Sequence, residues 1–125
     1  MWFSLEELQK RIDLRLITRR KHPYLDYYIY NYTPRCAFKH NNWDYYTSWS
    51  RGLILDNKGE VLSLPLPKFF NLNEREETLF HNLPNEVPEV SEKLDGFLGI
   101  EYKELDNTVG IASRGSFESP HSKLA

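Results

Sequence analysis

A turn-forming tripeptide between two apolar runs places the strongest constraint on the fold of this chain. Residues 51–56 (Arg-Gly-Leu-Ile-Leu-Asp) and residues 60–64 (Glu-Val-Leu-Ser-Leu) are short and apolar, and Asn57-Lys58-Gly59 lies between them. This pattern predicts a β-hairpin, because asparagine and glycine tolerate the backbone angles of a tight turn. At least part of the core must therefore form around antiparallel strands.

Three other regions are predicted to add strands. Residues 25–30 are rich in tyrosine, and residues 43–50 continue the aromatic pattern, which suits a pleated and half-buried surface. A second hairpin-like unit is predicted from residues 90–94 and 96–102, followed by a turn and by residues 109–113. We therefore expect a mostly antiparallel sheet.

The N-terminus has the pattern of an amphipathic helix. Ser4 followed by Glu7 forms a capping-box signal, in which each side chain can satisfy a backbone N–H of the first turn. Apolar residues then recur at helical spacing at Leu5, Leu8, Ile12 and Leu16. We predict a helix that ends before Pro23, because the residue before a proline avoids the helical region.

A basic cluster overlaps this predicted helix. Its members are Lys10, Arg11, Arg15, Arg19, Arg20 and Lys21. One interpretation is that these cations complement the negative end of the helix dipole. The other is that they bind RNA, and the aromatic residues 24–49 could then stack single-stranded bases. A single-stranded nucleic-acid-binding module is therefore an alternative function.

Two further helical segments are predicted in the second half of the chain. Residues 71–83 could hold a short helix with Leu72, Leu79 and Phe80 facing inward. Ser119 followed by Pro120 has the pattern of a helix start, with serine as the N-cap and proline at the first helical position.

Composition excludes several classes of protein. The 125 residues suit one small domain, and no apolar stretch is long enough to span a membrane. The single cysteine, Cys36, cannot form an internal disulfide or anchor a cysteine zinc site. The spacings of the four histidines match no metal motif, and we interpret them as surface or loop residues: His22, His40, His81 and His121. We expect an intracellular, cytoplasmic protein without membrane contact or a protein-held metal. Its net charge of −2 means that phosphate chemistry requires a local basic cluster.

Four short motifs contain residues that suit phosphate chemistry. They are Arg51-Gly52 at a strand start, Lys68-Phe69-Phe70-Asn71, Lys93-Leu94-Asp95-Gly96, and Ser113-Arg114-Gly115-Ser116-Phe117. Each alone has an ordinary explanation, such as a surface lysine before an Asp-Gly turn. Their order along the chain, however, resembles that of the phage-type ATP-dependent RNA ligases of the covalent nucleotidyltransferase superfamily.

The resemblance implies a fold and an activity. The fold would be α+β, with residues 1–125 forming the N-terminal part of a nucleotidyltransferase (ATP-grasp-like) domain that has a mostly antiparallel sheet and an N-terminal helix. The activity would be ATP-dependent RNA ligation, in which a lysyl-AMP intermediate precedes the sealing of RNA 5′-phosphate to 3′-hydroxyl ends. ATP, Mg²⁺ and RNA ends would be the cofactors and partners.

The resemblance also implies roles for the residues of the third motif. Lys93 would be the nucleophile that attacks the α-phosphate of ATP. Asp95 and Gly96 would shape the turn beneath it, and Glu92 would help to frame the adenine. We expect Lys93 to project from a strand, which would hold it in line with the phosphate.

The remaining motifs would supply cations. Arg51 and Lys68 would hold the ATP phosphates, and Arg114 would contact the nucleotide sugar or phosphate. An ordinary lysine has a pKa of about 10.4, so a lysine nucleophile at neutral pH needs neighbouring cations or desolvation to lose its proton. The same cations would stabilise charge on the five-coordinate phosphorus.

The later motifs of the superfamily do not follow in this sequence. We therefore expect an incomplete domain, with a missing C-terminal half as a possible partner and with little adenylylation by this chain alone. We also expect open strand edges and an exposed apolar face near residues 90–114. A catalytically dead fragment that acts by association is a third interpretation.

Overall fold

The computed structural model describes residues 1–119 and Lys123. Six strands form two antiparallel sheets: β1 (Ile17–Lys21), β2 (Tyr27–Tyr32), β3 (Arg51–Asp56) and β4 (Val61–Ser63) in that spatial order, and β5 (Ile100–Lys103) paired with β6 (Val109–Ala112). Three α-helices accompany them: α1 (Leu5–Asp13), α2 (Pro34–Ala37) and α3 (Tyr45–Trp49). The α+β class, the N-terminal helix and the antiparallel sheet are confirmed.

The predicted hairpin of residues 51–64 is confirmed as β3 and β4. The Asp56 carboxylate organises its turn by accepting hydrogen bonds from the backbone N–H groups of Lys58 (2.8 Å) and Glu60 (2.9 Å). Gly59 has a φ of 92°, and a Cβ there would lie 2.3 Å from the carbonyl oxygen of Phe3. Glycine is therefore required both by the turn and by the close approach of the N-terminal segment.

The start of the N-terminal helix is confirmed, but its predicted length is wrong. Ser4 is the N-cap and accepts a hydrogen bond from the Glu7 backbone N–H (3.2 Å). The helix ends at Asp13, Arg15 adopts a φ of 61°, and β1 begins two residues later. Pairing of β1 with β2 supplies hydrogen bonds that outweigh the helical spacing of the apolar residues.

This shorter helix divides the basic cluster. Only Lys10 and Arg11 lie in the last turn of α1, where the dipole interpretation applies. Arg19, Arg20 and Lys21 lie instead on β1, an edge strand.

The strand predicted at residues 43–50 is wrong, because most of this segment forms α3. Asp44 is the N-cap: its carboxylate accepts from the Thr47 backbone N–H (2.9 Å), and the Thr47 hydroxyl accepts from the Asp44 backbone N–H (2.8 Å). This capping box decides the local structure in favour of helix despite the β-favouring aromatic residues.

The single helix predicted at residues 71–83 is also wrong. The segment forms two separate 3₁₀ turns, Glu76–Thr78 and Phe80–Asn82. Leu72 and Phe80 are 58% and 74% exposed rather than inward-facing, while Leu79 is half-buried. The predicted helix start at Ser119-Pro120 extends outside the described residues.

The second hairpin is confirmed only in its later part. β5 and β6 pair in register from Ile100 with Ala112 to Lys103 with Val109. Residues 90–94 form no regular structure, so the strand predicted there is wrong. No neighbouring strand pairs with this segment in residues 1–119.

The four-stranded sheet has an apolar cluster on each face. One cluster contains Phe3, Leu8, Ile17, Tyr30, Leu53 and Leu55, and the other contains Ile29, Ile54, Ile100, Tyr102, Ala112 and Phe117. Successive residues of β3 alternate between them, as a strand buried on both faces requires. Consequently α1 covers one face, and the β5–β6 hairpin packs on the other.

Candidate active site

Arg51 opens β3 beside Asn31 of β2. The two residues are register partners at a point where the pairing of β2 and β3 shifts. The Asn31 side-chain amide donates a 2.7 Å hydrogen bond to the backbone carbonyl of Arg114. The loop after β6 is therefore fixed against the start of β3.

Gly52 makes this close approach possible. It has a φ of 85°, and a Cβ there would lie 2.4 Å from Ile100 Cδ1 and 3.6 Å from Arg114 Cα. A larger residue would strain the backbone at this φ, and the Ile100 side chain would have to move.

Two buried polar atoms at this junction have no hydrogen-bond partner among the described residues. They are Asn31 Oδ1 and Arg51 Nε, one acceptor and one donor on facing strands. A buried polar group without a partner costs about 1–3 kcal/mol, so natural proteins rarely retain one without a reason. Arg51 Nε is therefore available to an additional acceptor.

A chain of aromatic rings connects two more of the predicted cations. The Arg114 guanidinium carbon lies 4.5 Å from the centre of the Tyr32 ring. Tyr32 contacts Trp43 edge-to-face at 4.9 Å, and Trp43 contacts Phe70 at 5.8 Å. Lys68 Nζ lies 5.0 Å from the Phe70 ring centre and 5.9 Å from that of Trp43.

Arg51 and Arg75 complete the arrangement. Arg51 lies over Phe69 at 5.2 Å, and Arg75 lies over Phe70 at 4.5 Å. We call the whole set the cation–aromatic cluster: Tyr32, Trp43, Phe69, Phe70, Arg51, Lys68, Arg75 and Arg114. Ring faces hold Arg51, Lys68 and Arg114 without neutralising them, so the cluster suits an anionic ligand with an aromatic base.

The sequence did not single out Asn31, Tyr32, Trp43 or Arg75 for this site. Asn31 is the one amide in an aromatic strand, and Trp43 stands in the aromatic-rich segment, so both carried a signal. Arg75 carried no such signal, because an arginine in an acidic stretch is typical of a surface ion pair. Its Nε does lie 3.4 Å from the Glu77 carboxylate.

Lys93 occupies a different environment. Together with Glu92, Asp95 and Gly96, it is exposed and belongs to a segment without helix or strand. The expectation of a strand-borne nucleophile is therefore wrong, although the φ of 136° at Gly96 fits the predicted turn. In residues 1–119, no hydrogen bond, ion pair or ring contact joins Lys93 to the cation–aromatic cluster.

Apolar side chains flank Lys93 on both sides and are exposed. Val87, Val90 and Leu94 are 94%, 86% and 78% exposed, and Phe97 and Leu98 are at least half exposed. The expected exposed apolar face is thus present before β5, whereas β5 and β6 themselves bury Ile100, Tyr102 and Ala112.

His22 lies in the loop between β1 and β2, which agrees with the loop alternative, but it is buried and is not a surface residue. Its Nδ1 accepts hydrogen bonds from the backbone N–H groups of Tyr24 (3.3 Å) and Leu25 (3.1 Å). The remaining ring N–H, on Nε2, therefore donates to the Tyr102 hydroxyl (2.9 Å). Burial lowers the pKa of His22, and burial followed by the nearby Glu104 carboxylate raises the pKa of Tyr102 to about 12.

The other histidines add no metal site in the part of the chain that the structure describes. His40 and His81 are exposed as expected, and His121 lies outside the described residues. No group of three or more His, Cys, Asp or Glu side chains in residues 1–119 could hold a metal ion. None of the described helices is both long and apolar enough to cross a membrane.

Comparison with known families defines the class of protein. The family model described as RNA ligase, of the phage T4 type, matches residues 49–125, which is more than half of the chain. The chain therefore belongs to this RNA ligase family. No curated protein matches the chain. The matched span contains Arg51, Lys68, Lys93 and Arg114.

Proposed function

We propose that this protein is an ATP-dependent RNA ligase that forms a lysyl-AMP intermediate and seals RNA 5′-phosphate to 3′-hydroxyl ends. The observation that carries the proposal is the cation–aromatic cluster. It joins Arg51, Lys68 and Arg114, which lie far apart in the sequence, around one buried donor without a partner among the described residues, Arg51 Nε. Family membership supports the same activity.

The three cations would bind the triphosphate of ATP. Arg51 Nε has no partner within the described residues and would donate to a phosphate oxygen. Lys68 and Arg114 would add two further positive charges that stabilise the pyrophosphate leaving group. Asn31 would act as a positioning residue, because it fixes the Arg114 backbone next to Arg51.

Lys93 would carry out the covalent step. The lone pair of its neutral Nζ would form a bond to the α-phosphorus, while the bond from that phosphorus to the bridging oxygen breaks and pyrophosphate leaves. The proton of the attacking amine would pass to solvent, to which Lys93 is open. Asp95 and Gly96 would shape the turn, and Glu92 would frame the adenine.

The later steps would use the RNA ends. The AMP group would pass from Lys93 to the RNA 5′-phosphate, and the 3′-hydroxyl would then attack that phosphate and release AMP. Mg²⁺ would neutralise phosphate oxygens, and it would be held mainly by ATP because residues 1–119 contain no acidic cluster for it. Cytoplasm, which contains both ATP and RNA ends, is the proposed location.

We propose in addition that residues 1–125 are the N-terminal part of a nucleotidyltransferase domain. The exposed apolar residues around Lys93 support this proposal, because a further sheet would cover them and would bring Lys93 toward the cation–aromatic cluster. A C-terminal half would then be a partner of this unit.

Covalent labelling tests the proposed chemistry. The protein is incubated with ATP labelled on the α-phosphate and with Mg²⁺, and the label that survives denaturation is measured. We expect the wild-type chain to gain a weak label, Lys93→Ala to abolish it and Lys58→Ala, in the β3–β4 turn, to leave it at the wild-type level. Label that persists in Lys93→Ala contradicts the assignment of the nucleophile.

The same experiment separates the alternative function. Retention of single-stranded RNA by a wild-type protein that gains no covalent label, with or without added C-terminal half, would favour a nucleic-acid-binding module. Absence of both labelling and RNA binding would favour a catalytically dead fragment.

A further inference from the structure

A second surface of interest lies outside the cation–aromatic cluster. An open groove of about 540 Å³ runs between the end of α1 and α2. Its apolar floor contains Leu14, Leu16, Pro34 and Phe38, and its cations are Arg35 and Lys39. We call it the α1–α2 groove.

Backbone hydrogen bonds hold the two sides of this groove together. The Leu16 carbonyl accepts from the Thr33 N–H (3.0 Å), and the Arg15 carbonyl accepts from the Thr33 hydroxyl (2.7 Å). Thr33 is also the N-cap of α2. The groove is therefore preformed, and a ligand would not need to order it.

The groove displays apolar surface that packing does not cover. Phe38 is 87% exposed and Leu14 is 62% exposed. A phenyl ring in this position can stack on a nucleobase of any identity, because every base has a π-face.

The charges around the groove are positive and available. Arg15, Arg35 and Lys39 are exposed and have no ion-pair partner among the described residues, and no acidic side chain lines the groove. The adjacent cations differ, because Lys10 pairs with Glu7, and Arg11 pairs with both Glu7 and Asp44. The free cations thus lie beside the apolar floor, which is the arrangement that binds a polyanion with stacked bases.

The groove also has a lining residue next to the candidate active site. Asn42 lines the groove, and the next residue in the chain, Trp43, contacts both Tyr32 and Phe70 of the cation–aromatic cluster. We infer that the α1–α2 groove binds a single-stranded segment of the RNA substrate and leads it toward the bound nucleotide. This inference rests on the proposed ligase function for the identity of the RNA as substrate. A second copy of the chain fits less well, because a symmetric contact would bring the same free cations together.

RNA binding without ATP tests the groove directly. Fluorescence anisotropy measures the affinity of the 125-residue chain for a fluorescein-labelled single-stranded 12-nucleotide RNA at several salt concentrations. We expect Phe38→Ala to weaken binding about tenfold through the loss of one stacked base. The double variant Arg35→Ala/Lys39→Ala should reduce the slope of log affinity against log salt by about 1.4, which corresponds to two lost phosphate contacts.

Matched controls come from exposed residues that do not line the groove. Phe80→Ala removes an equally exposed phenyl ring, and Lys58→Ala removes an exposed cation, so neither should change RNA affinity more than about twofold. All four variants change exposed side chains, and circular dichroism should show the wild-type fold in each.

Three results would overturn the inference. The first is that Phe38→Ala binds RNA as tightly as the wild type. The second is that Phe80→Ala loses as much RNA affinity as Phe38→Ala. The third is that sedimentation shows a dimer, which Phe38→Ala dissociates without any change in RNA affinity. The ligase proposal fails separately, through covalent label that persists in Lys93→Ala. RNA binding in the groove without any lysyl-AMP would leave the groove as an RNA-binding surface and remove its role in ligation.

Discussion

β3 and the segment that carries Lys93 represent opposite ways of presenting a functional residue. β3 is central in its sheet, and Leu53, Ile54 and Leu55 are completely buried. Arg51 at its start pairs with Asn31 of β2, whose side chain also donates to the Arg114 carbonyl in the loop after β6. Residues 90–99 have no strand partner in residues 1–119, and their apolar side chains are exposed. Arg51 is thus positioned by the core, whereas Lys93 is not.

This difference has a chemical consequence for the proposed reaction. Cations that stabilise a transition state are most effective when they are preorganised, because no energy is then spent on orienting them during the reaction. A nucleophile that must first reach the phosphorus carries an additional conformational step. We therefore expect nucleotide binding to depend on the sheet and adenylylation to depend on the ordering of the Lys93 segment.

Two leucine substitutions give the largest expected contrast between these regions. Leu55→Ala creates a cavity in the centre of the sheet and should lower the free energy of unfolding by about 2–5 kcal/mol. Leu94→Ala, at a side chain that is 78% exposed, should change it by less than about 0.5 kcal/mol. Urea unfolding followed by circular dichroism measures both. A loss of about 2 kcal/mol in Leu94→Ala would show that the Lys93 segment is packed in solution.

Gly52→Ala should have a smaller effect on stability but a specific effect on nucleotide binding. The φ of 85° and the 2.4 Å approach of Ile100 Cδ1 make alanine strained there, at a cost of about 1–3 kcal/mol. The new Cβ would lie in ordinary contact with Arg114 Cα at 3.6 Å, so we expect the backbone strain at Gly52, rather than a clash, to shift Arg114 and weaken ATP binding in calorimetric titration.

Gly115→Ala is the matched control for this prediction. A Cβ at Gly115 meets no atom within 4 Å, so both stability and ATP affinity should remain near those of the wild type. Equal ATP affinity in Gly52→Ala and the wild type would mean that Arg114 is not positioned through Gly52.

The part of the fold that the sequence predicts well is the part with local signals. Asn57 to Gly59 specified the β3–β4 turn, and Ser4 specified the start of α1. The end of α1 could not be predicted from spacing, because β1 forms only when β2 is available as a partner. Asp44 and Thr47 also carry a local signal, the capping box that starts α3. The strand prediction for this segment was wrong because it rested on the aromatic residues instead.

The candidate site shows the same division. Arg51, Lys68 and Arg114 were predicted from the motif order, and the structure brings them into one cluster. Asn31 and Tyr32 could not be assigned to it, because their role depends on the register of β2 against β3 and on the return of the chain after β6. The strand expected around Lys93 required a partner strand, and none pairs with it in the described residues.

The smallest predicted effect concerns His22, which follows β1 and donates a hydrogen bond to the Tyr102 hydroxyl of β5. This contact connects the four-stranded sheet to the β5–β6 hairpin. Burial lowers the pKa of His22 in the folded state below its unfolded value of about 6.5, so the unfolded chain binds the proton more readily. The stability contributed by neutral His22 should therefore be complete above pH 6.5 and be lost as the pH falls through the folded pKa. Urea midpoints measured from pH 7.5 to pH 5 should decrease more steeply in the wild type than in His22→Gln, while His81→Gln, at an exposed position, should follow the wild type. Identical pH profiles for His22→Gln and the wild type would mean that the imidazole does not link the β5–β6 hairpin, and with it the Lys93 segment, to the sheet.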